Sequence, residues 1–155
     1  MKVYVQKGSD EVKTTIEILR KAKPKIKNKI LIKPNLTMPF SPKTAICTSP
    51  QVVEGIIKYL QDLGIKDIVI GEGSGATEDM SEIFEIIGYN RLSKKYNIPL
   101  VNLNRDKPVR LKITNGRSLK YITVANSILD RYIINVPKMK THRLTEVTLA
   151  MKNMV

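Results

Sequence analysis

Ile68-Val69-Ile70-Gly71-Glu72-Gly73-Ser74-Gly75 is the stretch that decides the fold. Three consecutive apolar residues, too few for a helix, read as a strand covered on both faces. The glycines that follow read as a tight turn. Beyond them Glu78 and Asp79 open a helix around Ile83, Phe84 and Ile87, where acidic residues suit the N-terminal dipole. A strand, a glycine turn and a helix in succession form the unit from which parallel α/β sheets are built.

The same alternation extends in both directions. Upstream, Val52, Val53, Ile56, Ile57, Leu60 and Leu63 make one helical stripe, with Thr48 or Ser49 as its cap, Pro50 in its first turn and Gly64 at its end. Ile30 to Ile32 is a further buried strand, ending at Lys33-Pro34-Asn35. Before it, Val12, Ile16 and Leu19 predict a helix after Ser9 or Asp10, and Val3 to Val5 a short strand. Downstream, Pro99 to Leu103 and Tyr132 to Val136 read as strands. Residues 109–124 form an antiparallel hairpin around Asn115-Gly116, and Ala125 to Leu129 one helical turn. Leu144, Val147, Thr148 and Met151 give a last helical stripe. The expected fold is a single three-layer α/β domain over residues 1–155, with a mostly parallel sheet, helices on both faces and that one hairpin.

Composition narrows the functional classes. Against 14 Asp and Glu the 155 residues hold 27 Lys and Arg, a formal charge of +13 that favours anionic partners. The single Cys47 excludes an internal disulfide and an iron–sulfur cluster held by this chain alone. No apolar run approaches the roughly 18 residues of a membrane span, and a cytoplasmic protein without membrane contact is expected. Twenty Lys and twenty Ile against three Gln resemble a thermophile's usage. Six lysines between Lys21 and Lys33 invite a nucleic-acid reading, but aromatics are only 5% and no binding motif accompanies them. They fit a solvated face better.

Polar clusters follow four of the strands: Lys33-Pro34-Asn35, Gly71 to Gly75, Asn102 to Asp106, and Pro137 to His142. In an open parallel sheet the carboxyl ends of the strands share one edge, and ligands bind there. Gly71, Gly73 and Ala76 match a relaxed dinucleotide fingerprint. The ribose-binding acid expected about 20 residues on is missing, however, and Glu72 inside the loop would repel a pyrophosphate. Lys138, Lys140 and His142 alternate, so an extended loop would place them on one side. The two ammonium groups would hold the imidazole toward its neutral form. With one His and one Cys, no metal site is expected.

Five segments in order resemble the family known as domain of unknown function 362. They are Ile32-Lys33-Pro34-Asn35-Leu36, Gly71-Glu72-Gly73, Phe84 to Gly88-Tyr89, Asn135-Val136-Pro137-Lys138 with Lys140-Thr141-His142, and Thr148 to Lys152-Asn153. The resemblance implies an α/β domain. Many members carry ferredoxin-type cysteine runs; this chain lacks them. Family domains also continue past the Lys-Asn motif, which makes this chain either a naturally short member or a fragment.

The functional expectation is a domain that binds a small anionic ligand at the carboxyl edge of its sheet. Lys33, Asn35, Gly73, Ser74, Lys140, Lys152 and Asn153 are the candidate binding residues, and Glu72, His142 and Lys138 the candidate acid–base groups. The cofactor and the reaction stay open. The alternative is a non-catalytic basic module that docks an electron-transfer protein or nucleic acid. A homodimer is also expected, packed through the Leu144, Val147 and Met151 stripe.

Overall fold

Four strands form the central sheet of the protein, whose structure is a computed structural model describing residues 2–40, 44, 46–75, 79–142 and 146–154, with only the backbone at His142. The strands are β1 (Lys29–Pro34), β2 (Asp67–Glu72), β3 (Leu100–Asn102) and β6 (Tyr132–Val136), in the order β3-β2-β1-β6. Every pairing is parallel, with Ile30 opposite Ile68 and Tyr132, and Ile70 opposite Leu100. Apolar triplets thus sit in the two central strands, as their unbroken hydrophobicity requires.

Helices α1 (Glu11–Ala22), α2 (Pro50–Asp62), α3 (Ser81–Ile87) and α4 (Tyr89–Tyr96) flank the sheet. Ile30, Ile32, Ile68 and Ile70 turn one way and join a core with Val53, Ile57 and Leu60 of α2, Ile83 and Phe84 of α3, and Tyr89 and Leu92 of α4. Leu31 and Val69, also buried, alternate to the other face. Burial of each large aliphatic side chain contributes about 1.5–3 kcal/mol. That sum fixes the strand register, and the register places the polar residues at the strand ends.

Local chemistry explains the helix ends. Asp10 caps α1 by accepting from the Lys13 amide at 3.0 Å, and Ser49 caps α2 with Pro50 in the first turn. Asp79 Oδ1 accepts from the Ser81 amide at 2.9 Å ahead of α3; Glu78 lies outside the described residues. Gly88, at φ +96°, ends α3 and starts α4 in a conformation that suits glycine. The eight-residue α4 has no apolar stripe beyond Tyr89 and Leu92, and the sequence pattern does not reveal it.

The expected hairpin is present as β4 (Pro108–Lys112) and β5 (Tyr121–Ala125), followed by a 3₁₀ turn at Asn126–Ile128. Two expectations are corrected. Val3 and Val5 belong to no strand and are 77% and 84% exposed; an apolar triplet without a neighbouring strand has nothing to pair with. The last helical stripe is a second antiparallel hairpin, β7 (Lys140–His142) with β8 (Glu146–Thr148), followed by a 3₁₀ turn at Lys152–Met154. Thr141, Val147 and Thr148 are β-branched and suit strands. Glu146 takes φ +59°, incompatible with a helix, and Met151 is 86% exposed. The dimer face expected from this stripe therefore does not exist as a helix; Leu144 lies outside the described residues.

No described helix is long and apolar enough to cross a membrane.

Candidate functional site

Because all four strands of the main sheet are parallel, their carboxyl ends meet at one edge. Glu72 is the last residue of β2 and Lys33 the penultimate residue of β1. Their side chains form an ion pair, only 12% and 3% exposed. The Glu72 carboxylate also accepts from the backbone amides of Gly73 at 2.8 Å and Leu36 at 2.9 Å. Burial raises its pKa above the usual 4.5, against the opposing pull of the Lys33 charge and the hydrogen bonds from Lys33, Leu36 and Gly73.

The glycine turn also serves the ion pair, because the Gly73 amide points at the protein's own carboxylate. A Cβ on Gly73 would lie 2.4 Å from Asn104 Oδ1, so the glycine lets the loop after β3 close onto the turn. Asn104 Nδ2 donates to the Ser74 carbonyl at 2.8 Å, and the Ser74 hydroxyl donates to the Thr37 carbonyl at 2.8 Å. The loops after β1, β2 and β3 are thereby tied together.

A cleft of about 320 Å³ opens over these loops. Lys33, Asn35, Glu72, Gly73, Ser74, Lys140, Lys152 and Asn153 line it together with Leu36, Thr37, Gly75, Thr141 and Thr148. Lys140 comes from β7, its Nζ donating to the Ile46 carbonyl at 2.8 Å. Burial lowers its pKa from the usual 10.5. Lys152 stands exposed at the rim.

Asn153 is buried and acts as a clamp. Its amide nitrogen lies 3.1 Å from the Pro34 carbonyl and 2.7 Å from Asn135 Oδ1, joining the ends of β1 and β6. Lys138 follows β6 by two residues but does not line the cleft. The side chain of His142 lies outside the described residues.

Thr48, read in the sequence as a helix cap, is a structural joint of the site. Its Oγ1 donates to the Val136 carbonyl at 2.7 Å and accepts from the Asn35 amide at 2.9 Å, while its own amide donates to the Asn35 carbonyl at 3.0 Å. The buried Tyr89 hydroxyl donates to the Thr48 carbonyl at 3.1 Å, and burial holds its pKa well above the usual 10.0. Only the Thr48-Ser49-Pro50 signature pointed here, and it announced a helix start. Among the described residues no three His, Cys, Asp or Glu side chains gather as metal ligands would.

Fold and cleft together define an open parallel α/β domain with a lysine-rich polar cleft at the carboxyl edge of its central strands. The chain belongs to the family described as Domain of unknown function (DUF362), which it matches over residues 30–155, from β1 onward. Thylakoid-associated protein sll1697 of Synechocystis sp. is 27% identical over 128 residues, which cover 82% of this chain and 38% of that protein. The chain therefore spans well under half the length of this relative. No solved structure matches the chain.

Proposed function

We propose that this domain binds a small anionic ligand in the cleft at the carboxyl edge of β1 and β2. The observation that carries the reading is the charge of the lining: Lys33, Lys140 and Lys152 against Glu72 alone, an excess of two positive charges. Lys33 already neutralises Glu72, so Lys140 and Lys152 are the cations available to a ligand. Burial disfavours the Lys140 ammonium, and an anion beside it would relieve that penalty. A carboxyl shifted up and an ammonium shifted down on one cleft also supply acid–base capacity for chemistry on the bound anion. Lys138 and His142 are not needed for this reading.

The docking alternative has its own support. Lys21, Lys23, Lys25, Lys27 and Lys29 are exposed, and from Ala22 to Ile26 they alternate with half-buried residues along the segment that enters β1. That row lies at the amino end of β1, across the sheet from the cleft. A cytoplasmic placement remains part of the proposal, beside the thylakoid association in the relative's name.

Thermal unfolding in the presence of inorganic phosphate tests the anion reading, because a ligand of the folded state raises stability by mass action. Phosphate should raise the midpoint of the native protein. Lys140→Met and Lys152→Met should each weaken binding about tenfold, in line with charge-assisted hydrogen bonds of about 1.5–3 kcal/mol. An equal response in native protein and both variants contradicts the assignment.

A further inference from the structure

Two side chains of the cleft wall are more than nine-tenths buried and still keep a free donor. Asn35 and Thr148 line the cleft at 8% and 7% exposure. Neither Asn35 Nδ2 nor the Thr148 hydroxyl makes a hydrogen bond among the described residues. Asn35 Oδ1 is shut away, so the amide nitrogen is the end of that side chain open to the cleft. Thr48 anchors the residue by bonding both its backbone amide and its backbone carbonyl.

The cations beside them are donors too. Lys140 stands opposite Thr148 in the β7–β8 register, which makes the two side chains neighbours. It spends one N–H on the Ile46 carbonyl and keeps the others, and Lys152 pairs with none of the described residues. The Glu72 carboxylate is already met by Lys33, Gly73 and Leu36. The cleft therefore asks its ligand for acceptors. Asn35, Thr148, Lys140 and Lys152 together offer about eight N–H and O–H bonds, whereas a carboxylate has about four lone-pair sites and one charge. The end of a phosphate monoester has three strong acceptor oxygens and a charge of about −1.5 to −2 near neutral pH, which suits two lysines.

Building on the anion reading above, we propose that the ligand is a small phosphate monoester bound as its dianion. Asn35 Nδ2 and the Thr148 hydroxyl donate to the phosphoryl oxygens that Lys140 and Lys152 neutralise. The cleft of about 320 Å³ is at the low end of the roughly 300–1,000 Å³ of small-molecule sites, so the organic part of the ester is small.

Methyl phosphate and malonate separate the phosphoryl group from charge alone. At slightly alkaline pH both are small dianions without a donor, but malonate divides its charge between two planar carboxylates. Calorimetric titration at matched ionic strength should show methyl phosphate binding about tenfold more tightly, equivalent to about 1.4 kcal/mol. Asn35→Leu and Thr148→Val, each similar in size to the native residue and without the donor, should each weaken methyl phosphate about tenfold. If Asn35→Leu does not fold, Thr148→Val and the ratio in the native protein still decide. Malonate binding as tightly as methyl phosphate, or an unchanged methyl phosphate affinity in either folded variant, overturns the ester inference and leaves the anion reading standing. Failure to bind either anion overturns both.

Discussion

Lys33 and Glu72 show what a buried ion pair contributes at the floor of a site. Their charges lie almost wholly out of water, and the Glu72 carboxyl is shifted up because burial outweighs its partner's attraction. Lys33→Met or Glu72→Gln alone should cost about 3–5 kcal/mol, since each strands a buried polar group. The double variant should recover much of that loss. Urea unfolding of the four proteins measures the coupling, and strictly additive losses would contradict it. The pH dependence has a definite sign. A carboxyl whose pKa is higher folded than unfolded holds its proton longer in the native state. Its contribution to stability is therefore greatest below 4.5 and falls as pH rises through the raised native value. The stability difference between native protein and Glu72→Gln, followed from pH 4.5 upward, should shift against the native protein across that window. A difference that moves the other way would place the folded pKa below the unfolded one.

At the scale of elements, the site is a set of loops held by backbone hydrogen bonds. Asn153 closes the seam between β1 and β6, so Asn153→Ala should cost about 1–3 kcal/mol by leaving a buried carbonyl unpaired. Amide exchange should accelerate first at the β6 edge; uniform exchange would argue against a local clamp. Gly88→Ala meets no atom within 4 Å, so its cost is backbone strain alone, about 1–2 kcal/mol at positive φ. A neutral result would mean that the α3–α4 junction adopts another conformation. The parallel strands were legible because Ile30–Ile32 and Ile68–Ile70 are unbroken apolar runs, and the Val52–Leu60 stripe because it repeats at helical spacing. The segment from Lys140 to Asn153 was not. Leu144, Val147 and Met151 mimic a helical stripe, whereas the hairpin depends on Glu146 at positive φ and on the distant Asn135 and Pro34 that hold Asn153. Likewise Asn35 and Lys33 were legible as strand-end polar residues. The role of Thr48 was not, because its partners Asn35 and Val136 are contacts across the fold.

Across the whole molecule, the sheet separates two basic regions. One is the exposed lysine row leading into the amino end of β1, and the other the cleft at the carboxyl edge. A formal charge of +13 attracts anions to both, and salt screens an open face more than a partly buried cleft. Anion binding in the cleft should therefore outlast non-specific association as ionic strength rises, and a titration series at increasing salt reads the difference. Localising bound phosphate by amide chemical shifts in the intact protein is the most direct measurement. The account predicts saturable shifts confined to residues 33–37, 72–75, 140–141, 148 and 152–153, lost in Lys140→Met. Shifts that spread along residues 21–29, or that never saturate, would contradict a built anion site and favour the docking face.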